Sequence, residues 1–475
     1  MLRNRLKDIA KDSSIYGLSK VIGQAIGFFL IPLYTQYLSP EDYGILNIIG
    51  VASVSFGLIM TFGIDSATYR FAGLAKTEEE EKTYLASAQW MNLFFVILIT
   101  LLLILNIQLV KNLVIDPQSS STLLVIGILT SVFSSISSIN RAYFRIKRKV
   151  KVISLASIIN IFTSIGSTIV LVVFMQLGVL GALLGNMIGN LISSLYLMLY
   201  SQTTFSLDLR WSAIKKLFAY ALPVLPAQLF AFAIPLYSQW SVKELLNMKE
   251  LGMYAIGLKF TIPLTLLLGM FQQAYGPYKF EILKTDKNPK KMFSDIMNLF
   301  VLCFGLLVIL VSFFGGYVLK LMTPSTFHDA EKYLFYIALI PLFQGLYFMF
   351  SAGLEMAKSP WFRPVISAAG LATVLFSNHY LISKFGVPGA AISIALSWFV
   401  MAMGNLIYSS YIYAISYNWV LIIFAMLTLL VTGFYVTEYE LFLMYRILIV
   451  LGIIMSTIFY AQRNFSIVNK LLIKK

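Results

Sequence analysis

Charged residues are scarce in this sequence, and their scarcity decides its class. Only 12% of the 475 residues are charged, whereas about 25% is usual for a soluble domain. Hydrophobic residues make up 59% of the chain, and the mean hydropathy is +0.82. Apolar runs of roughly 20 residues, such as Leu93–Val110 and Leu299–Leu319, are long enough to cross a bilayer as helices. The sequence therefore predicts an all-α polytopic membrane protein.

Cysteine and histidine are nearly absent as well. The chain has one cysteine, Cys303, and two histidines. These numbers exclude an intrachain disulfide and argue against a cysteine or histidine metal cluster. The sequence contains neither a G-x-x-x-x-G-K-[ST] phosphate loop nor an H-E-x-x-H zinc motif, and the breaks between apolar runs are too short for a catalytic domain. We predict a protein that is not an enzyme and uses no cofactor or metal.

Breaks rich in charged and turn residues divide the chain into fourteen candidate spans. Their approximate limits are 14–37, 43–68, 84–109, 119–144, 152–176, 179–201, 215–240, 251–278, 293–318, 330–354, 362–384, 387–412, 417–436 and 441–461. Most of the 36 lysines and arginines fall in breaks on the side that holds the N-terminus. Because loop cations mark the cytoplasmic side, both termini are predicted to be cytoplasmic. The net charge of +15 then reflects topology and attraction to anionic lipids rather than nucleic-acid binding.

A sequence repeat relates the two halves of the chain. Three pairs of segments match at an offset of about 208 residues: Ile31–Tyr34 with Ile234–Tyr237, Tyr69–Phe71 with Tyr278–Phe280, and Leu177–Ala182 with Phe385–Ala390. Each copy holds six spans, and an even number makes the copies parallel, related by an axis along the membrane normal. We therefore predict six-helix bundles over 1–208 and 209–415. A peripheral helix pair and a basic tail follow over 416–475.

The chain as a whole resembles the Wzx-type polysaccharide flippases of the multidrug/oligosaccharidyl-lipid/polysaccharide exporter superfamily. The segments that carry the likeness are SSIYGLSKVIGQAIGFFLIPLYTQYLSPEDYG (Ser13–Gly44) and FGIDSATYRFAG (Phe62–Gly73), together with the 6+6+2 layout. The resemblance implies that undecaprenyl-diphosphate-linked oligosaccharides move from the inner to the outer leaflet of a bacterial cytoplasmic membrane. The movement would proceed by alternating access, and it would serve O-antigen, capsule or exopolysaccharide assembly. Implied partners are membrane lipids, a proton or sodium ion, and glycan polymerases or glycosyltransferases.

Two other functions stay open at the level of sequence. The same superfamily contains drug/cation antiporters, which usually have twelve spans, and a non-transporting scaffold for glycan assembly is a third class. An acid-lined cavity favours an antiporter. The ionisable residues well inside the spans are two lysines, Lys20 and Lys259, against one acid, Asp65. This balance favours an anionic cargo.

Polar and ionisable residues inside spans are the candidate substrate-binding groups, because such residues are costly in a bilayer. We expect Lys20, Gln24 and Lys259 to line a cavity where the lysines meet the diphosphate. The alternative for Lys20 is an amine that snorkels to the membrane surface. Asn378 and His379 are candidates for binding sugar hydroxyls, or else they form interhelical hydrogen bonds.

Asp65 and Arg70 close the second predicted span. Because consecutive spans are antiparallel, Asp65 is expected at a depth near Lys20. There it forms a structural pair with the lysine or serves as a proton or sodium coupling site. Arg70 is expected at the cytoplasmic mouth, either as a phosphate-capturing group or as a topology charge. Its counterpart in the second copy, Lys279, has the same two interpretations.

Overall fold

The structure is a computed structural model that describes residues 21–115 except 22 and 26, then 119–201, 209–285, 288–356 and 362–438, and a few positions between 446 and 455. Every regular element in these segments is helical. The first nine helices are α1 (Ile31–Tyr37), α2 (Pro40–Thr61), α3 (Ile64–Gly73), α4 (Glu78–Leu105), α5 (Ile107–Val114), α6 (Ser121–Ile146), α7 (Val150–Thr168), α8 (Gly178–Tyr200) and α9 (Trp211–Leu245). The next seven are α10 (Met248–Phe260), α11 (Ile262–Thr285), α12 (Pro289–Met322), α13 (Leu334–Phe350), α14 (Phe362–Phe385), α15 (Val387–Ile412) and α16 (Trp419–Glu438).

Local sequence signals explain where several helices begin. Before α2, the Ser39 hydroxyl accepts a hydrogen bond from the Asp42 amide at 3.1 Å, and the Asp42 carboxylate accepts one from the Ser39 amide at 3.1 Å. This reciprocal capping box, with Pro40 at the first helical position, fixes the start of the helix. The Thr77 hydroxyl caps α4 by accepting a hydrogen bond from the Glu80 amide at 3.1 Å.

Apolar length identifies most of the predicted spans in the structure. Among the described residues, ten helices are long and apolar enough to cross a membrane, and the bent pair Met248–Phe260 plus Ile262–Gln273 makes an eleventh. A shorter apolar helix, Trp419–Tyr435, corresponds to the thirteenth predicted span. The first and fourteenth predicted spans fall largely on residues outside the described ranges. The chain is thus a multi-pass membrane protein, as predicted, while the count of fourteen and the side of each terminus stay predictions.

Hydrogen bonds from polar side chains join the helices of the first compact unit, Met1–Gly252. The Ser131 hydroxyl of α6 donates to the Ser53 carbonyl of α2 at 2.7 Å. The Asn92 amide of α4 donates to the Ser135 carbonyl of α6 at 3.0 Å. Hydrogen bonds of this kind between apolar helices fix their register where water is absent. Helix α9 packs on α2, α3 and α4 within this same unit.

The second compact unit, Met253–Lys475, uses the same type of contact. The Asn405 amide of α15 donates to the Tyr347 carbonyl of α13 at 2.8 Å, and the Ser397 hydroxyl donates to the Gly370 carbonyl of α14 at 2.8 Å. Compact packing and sequence repetition are separate properties of a chain. The predicted repeat boundaries at 208 and 415 therefore stay predictions.

Small residues bring α7 and α8 into close contact. A Cβ added at Gly181 would lie 2.9 Å from the Leu171 carbonyl oxygen, and one at Gly189 would lie 2.7 Å from the Asn160 carbonyl oxygen. A six-residue π-helical segment, Ile169–Phe174, continues α7 at this contact. Side chains larger than hydrogen on this face would force the two backbones apart.

Candidate functional site

The polar centre of the predicted eighth span is a helix break between α10 and α11. The two helices are bent by 44° where they meet. Pro263 explains the bend, because its nitrogen has no hydrogen for the carbonyl of Lys259 and its ring clashes with that carbonyl. Thr261 completes the turn, with its amide and hydroxyl donating to the Leu258 carbonyl at 3.2 Å and 2.8 Å.

Lys259 lies in the last turn of α10, directly before this break. Its side chain is half-buried. Within the described part of the chain it makes no hydrogen bond, ion pair or ring contact. An ammonium group without a carboxylate partner inside an apolar segment is a binding candidate for an anion. The predicted position of Lys259 within a span agrees with the structure, whereas its binding role stays a prediction.

A second break separates α2 from α3. Phe62 and Gly63 both adopt left-handed backbone conformations, with φ values of 53° and 71°. Glycine is suited to this conformation, and phenylalanine is not. The Phe62 ring stacks on Phe95, with centroids 4.3 Å apart, and also on Phe218 at 5.7 Å. This stack holds the strained residue in place and ties α9 to the break.

Asp65 and Arg70 follow this break on α3. Asp65 lies in the first turn, where the positive end of the helix dipole favours a carboxylate. Its Oδ1 atom is buried and accepts no hydrogen bond from the described residues. Arg70, in the last turn, is exposed, and its guanidinium carbon lies 4.9 Å from the centre of the Tyr220 ring. The two side chains therefore have different surroundings, because Asp65 is half-buried and Arg70 is exposed.

The repeat counterpart of Arg70, Lys279, is enclosed rather than exposed. Its side chain is only 2% exposed. The amine lies 3.4 Å from the Ser351 hydroxyl and 4.2 Å from the centre of the Phe348 ring. A ring face at this distance attracts a buried cation. Lys279 thus differs from Arg70 in accessibility, although both residues had the same two interpretations at the level of sequence.

Asn378 and His379, which the sequence grouped together, lie on different faces of α14. Asn378 is fully buried, whereas His379 is exposed. Neighbouring residues on a helix point about 100° apart, so adjacency in sequence does not bring side chains to one site. The neighbouring Ser377 shares a hydrogen bond with Ser393 of α15. The structure therefore does not bring the two predicted sugar-binding side chains together.

Lys20 lies outside the described residues, so its expected proximity to Asp65 stays a prediction. Gln24, one turn later in the sequence, has a half-buried side chain. Its expected place in a cavity also stays a prediction.

A close crossing of α2 and α10 was not foreseen from the sequence. A Cβ added at Gly44 would lie 3.2 Å from the Gly252 nitrogen, and one at Gly252 would lie 3.2 Å from the Gly44 nitrogen. The same added atoms would overlap the carbonyl oxygens of Met248 and Pro40, respectively. The crossing is therefore symmetric. Gly44 and Gly252 stand at the repeat offset, as do Pro40 and Met248, and this relation was the available signal.

These features define a polytopic membrane protein with polar helix breaks and close small-residue crossings. The chain belongs to the polysaccharide biosynthesis protein family, whose model matches residues 35–332. The expected resemblance to Wzx-type flippases is confirmed by this match together with the fold similarities below. No curated protein sequence matches the chain.

Solved transporters have the same fold. The lipid II flippase MurJ in an inward closed conformation is similar with a TM-score of 0.74 and 16% identity, over 95% of this chain and 99% of that one. An inward-facing multidrug resistance MATE family transporter of the MOP superfamily has a TM-score of 0.61 and 14% identity, over 83% and 94% of the two chains. A MOP superfamily transporter from Pyrococcus furiosus, described by a reversed polarity of its binding pocket, has a TM-score of 0.54 and 12% identity, over 84% and 95%. At these identities the similarity establishes the fold.

Proposed function

We propose that the protein is a flippase for undecaprenyl-diphosphate-linked oligosaccharides. It moves them from the inner to the outer leaflet by alternating access, for O-antigen, capsule or exopolysaccharide assembly. Membership of the polysaccharide biosynthesis family supports this function, as does a fold similar to that of a lipid II flippase. The observation that carries the proposal is Lys259, half-buried beside a broken helix and without a carboxylate partner among the described residues.

The chemistry of the cargo explains why such a lysine is needed. A diphosphate cannot enter hydrocarbon unaided, because burying each charge costs several kcal/mol even after relaxation. An ammonium group offsets part of this cost by ion pairing. The carbonyl of Lys259, which Pro263 deprives of its helical donor, gives the same place a hydrogen-bond acceptor for sugar hydroxyls. Lys20 and Gln24, which belong to the first unit, stay candidate substrate-binding residues in the proposal.

The symmetric crossing of α2 and α10 supports alternating access. A gate needs a contact that closes tightly in one state and separates in the other. Gly44 and Gly252 meet backbone to backbone, so their contact needs no side-chain interdigitation to form or break. The predicted topology puts this crossing on the outer side, where it would close the exit in an inward-facing state.

The membrane potential is the energy source in this proposal. Moving negative charge outward from a negative interior is favourable by roughly 2.3 kcal/mol per charge per 100 mV. Dissipating the potential in proteoliposomes, with proton and sodium gradients intact, should therefore stop translocation. Continued translocation would point instead to ion coupling, and Asp65 is the residue to test, because its buried oxygen lacks a donor among the described residues.

A drug/cation antiporter is the second candidate. The fold similarity to multidrug transporters and the buried Oδ1 atom of Asp65 favour it. Lys259, which has no carboxylate partner among the described residues, opposes it, because a fixed positive charge repels cationic drugs. Restored surface glycan in a flippase-null strain would support the flippase. Failure to restore glycan, together with cation efflux from loaded vesicles, would support the antiporter.

The test of the binding role is complementation by Lys259→Ala. We expect surface glycan to fall by at least about tenfold, the effect of losing ~1.4 kcal/mol of substrate stabilisation. Lys249→Ala is the matched control, since Lys249 lies on the same helix but is exposed near its start. Equal glycan levels in both variants, at equal expression, would remove Lys259 from the proposed site.

A further inference from the structure

A cluster of aromatic rings joins α3, α4 and α9 within the first unit. The Phe71 ring stands at its centre, 5.6 Å from Tyr84 and 5.9 Å from Tyr220, measured between ring centroids. Tyr84 is 6% exposed, and the other two rings are half-buried. The three rings therefore form a rigid cluster that is accessible from one side.

Two cations from different helices contact this aromatic cluster. The Arg70 guanidinium carbon lies 4.9 Å from the centre of the Tyr220 ring. The Lys216 amine donates to the Tyr84 hydroxyl at 3.3 Å and lies 5.9 Å from the centre of that ring. Both cationic side chains are exposed. Lys216 and Tyr220 are four residues apart on α9, so they lie on the same face of that helix.

Three of the four acidic residues in the first turn of α4 are engaged elsewhere. Glu79 pairs with Arg210 at 2.6 Å, and Glu81 pairs with Lys147 at 2.8 Å. Glu80, one turn from Tyr84, accepts a hydrogen bond from the Lys76 amide at 3.0 Å. Arg70 and Lys216 thus make no ion pair with a carboxylate within the part of the chain that the structure describes.

Contacts with tyrosine side chains distinguish these two cations from ordinary loop charges. A topology charge needs only to stay on one side of the membrane, and it does so with a mobile side chain. Here, the Tyr220 ring restricts Arg70 and the hydrogen bond to the Tyr84 hydroxyl restricts Lys216, which lowers the conformational entropy lost when an anion binds. Phosphate oxygens suit the pair, because a guanidinium binds them in a bidentate manner and an ammonium adds a point charge.

We propose that Arg70, held by the Tyr220 ring, and Lys216, held by the Tyr84 hydroxyl, capture the diphosphate headgroup of a polyprenyl-linked substrate before it enters the protein. This inference rests on the proposed flippase function. The predicted topology places the last turn of α3 and the first turns of α9 at the cytoplasmic membrane surface, where such headgroups lie. Capture there raises the local concentration of cargo at the membrane surface.

The test measures binding by the full chain in detergent micelles. The probe is geranylgeranyl diphosphate, geranylgeraniol is the matched probe without phosphate, and inorganic pyrophosphate is the headgroup without the lipid. We expect the Arg70→Gln/Lys216→Gln double variant to bind geranylgeranyl diphosphate at least about tenfold more weakly. Geranylgeraniol binding should not change. Weaker pyrophosphate binding in the same variant would assign recognition to the headgroup alone, whereas an effect confined to the lipid diphosphate would show that the chain contributes.

Matched variants separate a site from a general charge effect. Lys215→Gln removes an exposed lysine one residue away that has no ring contact, and it should change affinity less than about twofold. Tyr220→Leu should weaken diphosphate binding by about threefold or more, through loss of the ring face under Arg70. Tyr220→Phe keeps that face and should bind like the wild type.

Three results would overturn the proposal: no binding of the diphosphate by the wild type, wild-type affinity in the double variant, or equal loss in Lys215→Gln. The single variant Arg70→Gln replaces the double variant if that one fails to fold, and it should weaken diphosphate binding by about threefold or more. Failure of the flippase function itself is a separate result, because then the wild type would not translocate lipid-linked oligosaccharide in vesicles. Translocation by the wild type, with unchanged binding in the double variant, would reject the capture site alone.

Discussion

Replacing Gly44 by alanine should separate α2 from α10 and favour a state in which their crossing is open. The added Cβ would lie 3.1 Å from the Met248 Cγ and 3.2 Å from the Gly252 nitrogen, and it would overlap the Met248 carbonyl. A backbone carbonyl cannot rotate away as a side chain can, so the helices must move apart. Overpacking of this kind costs ~1–3 kcal/mol. The higher helix propensity of alanine acts in both states and does not bias them.

A shift of ~1–3 kcal/mol changes the ratio of open to closed states by about 5–150-fold. The assay places a cysteine at Met248, which is 7% exposed, in a Cys303→Ser background with no other cysteine. A membrane-impermeant maleimide added from outside should label Gly44→Ala at least about fivefold faster than the parent. Gly50→Ala is the control on the same helix, because, among the described residues beyond its own helical backbone, no atom lies within 4 Å of its added Cβ. Equal labelling of the two alanine variants would refute the steric argument.

Two further predictions concern the bend and an ion pair. Pro263→Ala supplies the missing hydrogen-bond donor for the Lys259 carbonyl. We therefore expect a higher melting temperature, a straighter helix and lower glycan complementation. Full complementation with the higher melting temperature would show that the 44° bend is dispensable. The pKa of Lys147 is raised, chiefly because its ammonium donates a hydrogen bond to the Glu81 carboxylate. A raised pKa stabilises the folded state below the unfolded value of about 10.4, and this stabilisation is lost as the pH rises through the folded value. Lys147→Gln should therefore lower stability by at most ~1 kcal/mol near neutral pH, because the pair is partly exposed, and its melting-temperature difference from the wild type should vanish at strongly alkaline pH; a difference that is constant with pH would contradict this.

Most of the membrane spans were predictable because apolar length is a property of the sequence itself. The spans found in the structure, such as Ser121–Ile146 and Val387–Ile412, agree with predicted limits to within a few residues. The break at Thr261 also has a local cause in Pro263. The break at Phe62 has no such local signal, because its left-handed conformation depends on ring stacking with residues of other helices.

The candidate site was less predictable than the fold, since its geometry depends on contacts distant in sequence. Arg70 stood out by its position at the end of a span, but Lys216 looked like one loop cation among many. Only the folded chain brings the Tyr220 ring against Arg70 and the Tyr84 hydroxyl against Lys216. Asn378 and His379 were predicted to act together because they are adjacent in sequence. On a helix, consecutive residues point about 100° apart, so their side chains lie on different faces.

The glycine face between α7 and α8 also bears on the order in which the chain assembles. The two helices are consecutive, and only Met175–Leu177 separate the end of the π-helical segment from α8. Closing so short a connection costs little chain entropy, and contacts between neighbours in sequence form fastest. Because Gly181 and Gly189 complete this contact without any later helix, the pair can enter the membrane as a finished hairpin during synthesis. Bulkier residues at these two positions should therefore reduce the yield of inserted protein before they affect transport.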